Sequence, residues 1–229
     1  IGFLPQKAPL HTEMTVDEYL YHCADIRLMP KKEIPAAIDR AKEKCGITHF
    51  SKRQICNLSG GYQQRVGIAQ AIIHDPLFVI LDEPTNGLDP NQITEVRHLI
   101  KGIAEDRAVL ISTHILPEVQ AVCDYIMMIE HGQKVFEGTI NAFNTYMSPS
   151  ALMTIMHNAP TTEELLKIEG IVRVERLTKT RIRLHFKGDN AIVGRVVKQA
   201  VENQWRLREI SLEKESLDKV FAKLSGKEV

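Results

Sequence analysis

The stretch that most limits what this chain can fold into is Leu77-Phe78-Val79-Ile80-Leu81, an unbroken apolar run ending at Asp82-Glu83-Pro84. A run without alternation is the pattern of a strand covered on both faces, as in a parallel sheet. Parallel strands need crossover connections, so helices must flank it. The flanks comply. Val66, Ala69 and Ile73 space a helix from Gly61 to Ile73 that Pro76 ends, and Asp89-Pro90 opens another carrying Ile93, Val96, Ile100 and Ile103. Ala108 to Ile111 reads as a second buried strand, and strand, helix, strand argues for an α/β core. The run delivers two adjacent carboxylates at its C-terminal end, where open α/β sheets bind ligands. Successive side chains on a strand point oppositely, so one can serve a metal ion and the other a water.

Upstream, residues 11 to 46 read as helical. Thr15 with Glu18 has capping-box spacing, Val16, Leu20 and Cys23 follow at helical intervals, and Ile34, Ile38, Ala41 and Cys45 form a second stripe that Gly46 terminates. Downstream, Tyr125 to Ile129 and Lys134 to Phe136, joined through His131-Gly132, suggest a hairpin at the sheet edge. The pattern changes between Tyr146 and Ser150, with Pro149 as a linker residue, which divides the chain into 1–149 and 150–229. The second part offers strands at 151–157, 171–177, 181–186 and 207–212 and helices at 162–167, 191–203 and 216–224. That order, βαββαβ plus a final helix, is the α+β ferredoxin-like arrangement. Trp205, with Arg206 and Arg208, is expected at the rim of that sheet.

Bulk properties exclude several classes. Lys plus Arg equals Asp plus Glu, 29 each in 229 residues, so no overall field points to nucleic acid. No apolar run approaches the roughly 18 to 20 residues that span a bilayer. The four cysteines, Cys23, Cys45, Cys56 and Cys123, lack metal-ligand spacing and read as reduced core thiols. Ile1-Gly2-Phe3-Leu4-Pro5 has no charged n-region of a signal peptide and reads as the middle of a domain.

Four segments carry chemistry. Leu58-Ser59-Gly60-Gly61-Tyr62-Gln63-Gln64-Arg65 puts two glycines at a helix start, where open backbone N–H groups favour phosphate; alone, such a segment is more often a flexible N-cap. Asp82-Glu83 ends the apolar strand. Asn86-Gly87-Leu88-Asp89-Pro90 turns into a helix. Ser112-Thr113-His114 follows the neighbouring strand, which brings His114 beside the carboxylates.

In this order, these segments resemble the ABC ATPases. Leu58 to Arg65 is similar to that family's signature motif, Asp82 to its Walker B aspartate, Glu83 to its catalytic glutamate, Gly87-Leu88-Asp89 to its D-loop and His114 to its switch histidine. Gln6 stands where the family has its Q-loop glutamine, ahead of a helical subdomain. The resemblance runs from Gly2 to about Phe143, with Tyr62 departing from the usual Gln. It implies a P-loop NTPase core. A G-x-x-x-x-G-K-[ST] phosphate loop occurs nowhere in the chain; in the family it precedes the Q-loop, so the core is expected to be partial and the chain by itself inactive.

The resemblance further implies ATP and Mg²⁺ as cofactors, with Gln6 and Asp82 toward the metal, Glu83 as the base for the attacking water and His114 on the γ-phosphate. Ser59, Gly60, Gly61, Gln63 and Asp89 would join the nucleotide site. It implies a head-to-tail pair of ATPase domains, a homodimer or a second ATPase subunit, with a transmembrane permease as partner and a peripheral place on the cytoplasmic membrane face. Glu215-Ser216-Leu217-Asp218-Lys219-Val220-Phe221 resembles the ending of drug- and antibiotic-export ATPases of the ABC-2 type, which favours export. An importer ATPase and a soluble non-transport ABC ATPase stay open as alternatives.

Overall fold

The computed structural model describes residues 1–146, 151–188 and 190–213. They form two compact units, Ile1–Cys123 and Asp124–Val229. The sequence pattern puts the division at 149/150; the structure puts it earlier, and among the described residues the expected edge hairpin forms a two-stranded sheet of its own.

The first unit holds a parallel sheet in the order β1 (Gly2–Leu4), β2 (Phe78–Asp82), β3 (Ala108–Ser112). The expectation of burial on both faces holds only in part at β2: Val79 and Leu81 are fully buried, Phe78 and Ile80 are half-buried, and Leu77, just before the strand, is 85% exposed. The expectation of a second buried strand fails at β3, whose residues are exposed or half-buried and where Leu110 keeps 52% of its surface. Among the described residues, β3 is an edge strand with β2 on one side. β1 lies close over the C-terminal half of α3 (Gly60–Ile72), and Gly2 permits it. A Cβ there would sit 2.1 Å from the Ala71 carbonyl oxygen.

Helices α1 (Val16–Ile26) and α2 (Ile34–Cys45) pack with α3, β1, β2 and α4 (Pro90–Ala104) around one core. Their ends follow local chemistry. The Thr15 hydroxyl accepts from the Glu18 N–H at 3.3 Å, and the Glu18 carboxylate accepts from the Thr15 N–H at 2.8 Å. Gly46 closes α2 at φ 65°, a conformation that suits glycine. The Arg65 guanidinium donates to the Cys45 carbonyl at 3.2 Å and pairs with Glu95, tying α3 to α2 and α4. Cys23 and Cys45 are core thiols as expected, with Cys45 pushed up to about 12 by burial; Cys56 is exposed and Cys123 half-buried, so the expectation fails for those two.

The second unit opens with the hairpin β4 (Tyr125–Glu130) and β5 (Gln133–Thr139), followed by α6 (Ile140–Tyr146). Its two-residue turn puts both His131 (φ 49°) and Gly132 (φ 77°) in the left-handed region, as a type I′ turn requires. Then come β6 (Ala151–Met156), α7 (Thr162–Leu166), β7 (Ile171–Arg176), β8 (Arg181–Phe186), α8 (Ile192–Glu202) and β9 (Leu207–Glu213). The sheet order β7-β8-β6-β9, antiparallel throughout, is the ferredoxin-like topology. Leu152, Met156, Ile182 and Leu184 meet Ile192, Val196 and Ala200 of α8 in a core of their own. Burying each larger apolar side chain contributes about 1.5–3 kcal/mol. Trp205 is not at the rim: it is 6% exposed and part of that core, because the turn after α8 folds its ring inward while Arg206 stays outside. The expected helix 216–224, the linker residue Pro149 and the export-type ending lie outside the described residues.

Candidate functional site

Parallel pairing sets the site. Leu4 is level with Leu81 and Asp82 with Ser112, so Gln6, Asp82-Glu83 and Thr113-His114 all leave the sheet at its C-terminal end. The Glu83 N–H donates to the Ser112 carbonyl at 2.8 Å, the last rung joining β2 to β3. Beyond it the chain turns sharply, and Glu83 takes φ 47°. A left-handed conformation costs a non-glycine residue about 1–2 kcal/mol, which the surrounding bonds must hold.

Those bonds aim the Glu83 side chain at His114. The His114 Nδ1 lies 2.7 Å from Glu83 Oε1. The imidazole is 75% exposed and the carboxylate 15% exposed, so the acid is sheltered while the ring faces solvent. The hydrogen bond to Glu83, then its charge, raises the His114 pKa above the ordinary imidazole value against a smaller opposing effect of desolvation. The Thr113 hydroxyl lies 3.4 Å from Glu83 Oε2.

Asp82 ends β2 half-buried, and among the described residues its carboxylate makes no hydrogen bond or ion pair. Gln6 is exposed just past β1. No cluster of three or more His, Cys, Asp or Glu able to hold a metal exists among the described residues. One free carboxylate is nonetheless the donor set Mg²⁺ accepts beside phosphate, since that ion keeps several waters and takes one or two protein carboxylates.

The Ser-Gly-Gly segment forms the start of α3. Ser59 is the N-cap residue without a side-chain cap bond, so its hydroxyl and the first N–H groups of α3 stay open to an acceptor. Nothing stands within 4 Å of a Cβ built on Gly60, whereas one on Gly61 would meet the Gln92 side chain at 2.6 Å. Gln63 and Asp89 are engaged within the chain. The Gln63 amide donates to the Ile55 and Leu58 carbonyls at 3.1 Å each, and Asp89 Oδ1 caps α4 through the Asn91 and Gln92 N–H groups at 3.0 Å each. Gln64 donates to the Pro84 carbonyl at 2.8 Å, linking α3 to the turn after Glu83. Tyr62 stacks edge-on against Phe50, centroids 4.6 Å apart, and Arg65 lies over its ring, which gives the departure at this position a packing role.

Two residues here escape sequence reasoning, Thr85 and Glu118, and Thr113 enters it only as part of the segment that carries His114. Glu118, on the short helix α5 (Leu116–Val122), is 2% exposed. It accepts from the Thr85 hydroxyl through Oε1 and from the Thr113 hydroxyl through Oε2, the latter at 3.2 Å. Its place four residues after His114 was visible; that it points inward was not.

Comparison with known proteins adds the family context. Residues 1–86 match the family described as "ABC transporter". The bacitracin transport ATP-binding protein BcrA of Bacillus licheniformis is 31% identical over 238 residues, covering 99% of this chain and 73% of that protein. The Nod factor export ATP-binding protein I of Rhizobium meliloti is 37% identical over 143 residues, 60% of this chain and 42% of that protein. Among solved structures, cbiO1 of Clostridium perfringens, described as part of the ABC transporter complex cbiONQ, superposes with a TM-score of 0.58 at 27% identity, covering 63% of this chain and 59% of that one. The chain spans about half the length of other curated relatives that it matches, 48% of one and 54% of another.

Proposed function

We propose, from the premise that this chain belongs to the family of ABC transporter ATP-binding proteins, that it forms the catalytic-carboxylate half of an ATP-hydrolysing subunit that powers export. The observation that carries the reading is the Glu83–His114 pair at 2.7 Å beside the unpaired Asp82, at the ligand-binding end of a parallel sheet. In phosphoryl transfer there is little covalent work for a protein, so positioning and charge dominate. Glu83, sheltered and aimed, orients the attacking water and takes its proton. His114, exposed and with its Nδ1 held by Glu83, presents its other ring nitrogen outward to the γ-phosphate. Asp82 and Gln6 would hold Mg²⁺, which when bound neutralises charge on the phosphates.

The open Ser59, Gly60 and Gly61 suit the phosphates of an ATP held by a second ATPase domain, paired head-to-tail as homodimer or heterodimer. Gln63 and Asp89 serve that edge by holding the loop before α3 and the start of α4. None of the helices among the described residues is long and apolar enough to cross a membrane. A separate permease is therefore proposed to do the crossing, with this chain on its cytoplasmic face. Export is favoured by the name of one relative, a Nod factor export protein. A periplasmic binding protein encoded beside the gene would favour import instead.

The test is Glu83→Gln, read as ATP turnover in a protein that carries both this chain and a Gly-rich phosphate loop. Turnover should fall by more than about tenfold, the least expected for a positioned base, while ATP binding persists and an ATP-bound dimer accumulates. A smaller loss removes Glu83 from the role of base.

A further inference from the structure

We propose that Glu118 is a positioning residue for the Glu83–His114 pair, acting through the hydroxyls of Thr85 and Thr113; this rests on the reading of Glu83 as the base. The two loops that leave β2 and β3 each carry one reacting side chain and one hydroxyl. In the first, Thr85 follows Glu83 by two residues; in the second, Thr113 immediately precedes His114. Glu118 reaches both, one carboxylate oxygen to each hydroxyl. A single side chain thus sets the separation of the two loops, and with it the meeting of Glu83 with His114.

The cost of the arrangement argues that it is functional. Thr85 and Glu118 are each 2% exposed, and a buried carboxylate is expensive unless its lone pairs are filled. Among the described residues Glu118 makes no ion pair, and His114, whose pKa its charge helps to raise, feels it from beyond contact. An apolar residue on α5 would pack there without that penalty. What the carboxylate adds is directional bonding between loops that share just one backbone rung past the sheet, Glu83 N–H to the Ser112 carbonyl. Glu83 also needs restraint, because its left-handed backbone relaxes if the turn is released. The Thr113 hydroxyl accepts from the Ile115 N–H at 3.1 Å and has one proton to donate. It lies between Glu118 Oε2 at 3.2 Å and Glu83 Oε2 at 3.4 Å, so it transmits the position of one carboxylate to the other.

Steady-state ATP turnover of the full-length protein tests this, with Glu118→Ala and the pairs Thr85→Val with Thr85→Ser and Thr113→Val with Thr113→Ser. Thr85 is the cleanest probe, since its hydroxyl is engaged with Glu118. We expect Glu118→Ala and both valine variants to lower kcat by about 10- to 100-fold, the scale of an ångström-size misplacement, with KM for ATP within twofold of the parent. Both serine variants should restore kcat to within about threefold. In a Glu83→Gln background the same changes should cost little more, because effects through one group do not add. If Glu118→Ala does not fold, the isosteric valine variants decide. Folded valine variants with parental kcat, serine variants that fail to restore it, or losses that add fully to that of Glu83→Gln each overturn the proposal. A Glu83→Gln protein with parental turnover overturns the base assignment instead, and the two failures are told apart by that single control.

Discussion

Removing Asp17 should destabilise the first unit more than removing Lys42, its partner. The Lys42 side chain is 6% exposed, and its ammonium lies 2.6 Å from Asp17, 2.9 Å from the Ser51 hydroxyl and 3.3 Å from Asp39. Deleting one member of a fully buried pair costs about 3–5 kcal/mol, because the remaining charge is stranded. Two features reduce that figure for Asp17→Ala. Asp17 is itself 29% exposed, so the pair is partly screened, and Asp39 and Ser51 remain beside the ammonium. About 2–3 kcal/mol is left, roughly 5–10 °C in Tm for a chain of this size. Lys42→Met takes the partner from the Asp17 and Asp39 carboxylates, but water reaches both, the Lys52 ammonium still lies 4.0 Å from Asp17, and a methionine fills the stem's space; about 1 kcal/mol follows. The double variant should match Lys42→Met within about 0.5 kcal/mol. Burial alone pulls the Lys42 pKa down, but the bonds to Asp17 and Asp39 outweigh it and the net shift is upward. A raised amine stabilises fully below the ordinary lysine value, and that stability is lost as pH climbs through the folded value. Urea and thermal unfolding of the 229-residue chain at neutral pH give the three free energies. An Asp17→Ala protein within 0.5 kcal/mol of the parent, or less costly than Lys42→Met, would refute the stranded-charge argument.

Three further outcomes follow from single features. In NMR titrations, His114 should lose its proton above the ordinary imidazole range and return toward that range in Glu83→Gln; an unchanged midpoint in the variant would show that Glu83 does not hold the ring. Gly2→Ala should cost about 1–3 kcal/mol from overpacking against Ala71, more than the roughly 0.4–1 kcal/mol a Gly-to-Ala change gains through the unfolded chain; a neutral or stabilising effect would mean β1 does not press on α3. Residues 124–229 expressed alone should unfold cooperatively on the strength of the core around Leu152, Ile182 and Val196, and a random-coil circular dichroism spectrum would disprove it.

Features governed by neighbours along the chain were legible in the residues themselves. The Thr15–Glu18 box, the Gly46 stop, the Asp89 cap and the His131-Gly132 turn are set by interactions a few residues long, and each stands where the pattern puts it. Period and order sufficed even for the ferredoxin-like sheet, because βαββαβ with apolar-faced helices has few ways to close. Burial was another matter, since it depends on what lies across space. Ala108 to Ile111 has the same apolar character as Leu77 to Leu81, yet one strand has β1 and β3 on its two sides and the other is an edge. Trp205 beside two arginines looks like a rim residue until the turn after α8 folds the ring inward. At the site, the order of motifs brings Glu83 and His114 to one end of the sheet, but their separation belongs to the parallel register and to bonds from elsewhere. Glu118 is the extreme case: one acid among several in the sequence, it acquires its place because α5 turns it inward, away from water, between two hydroxyls 33 and 5 residues away along the chain.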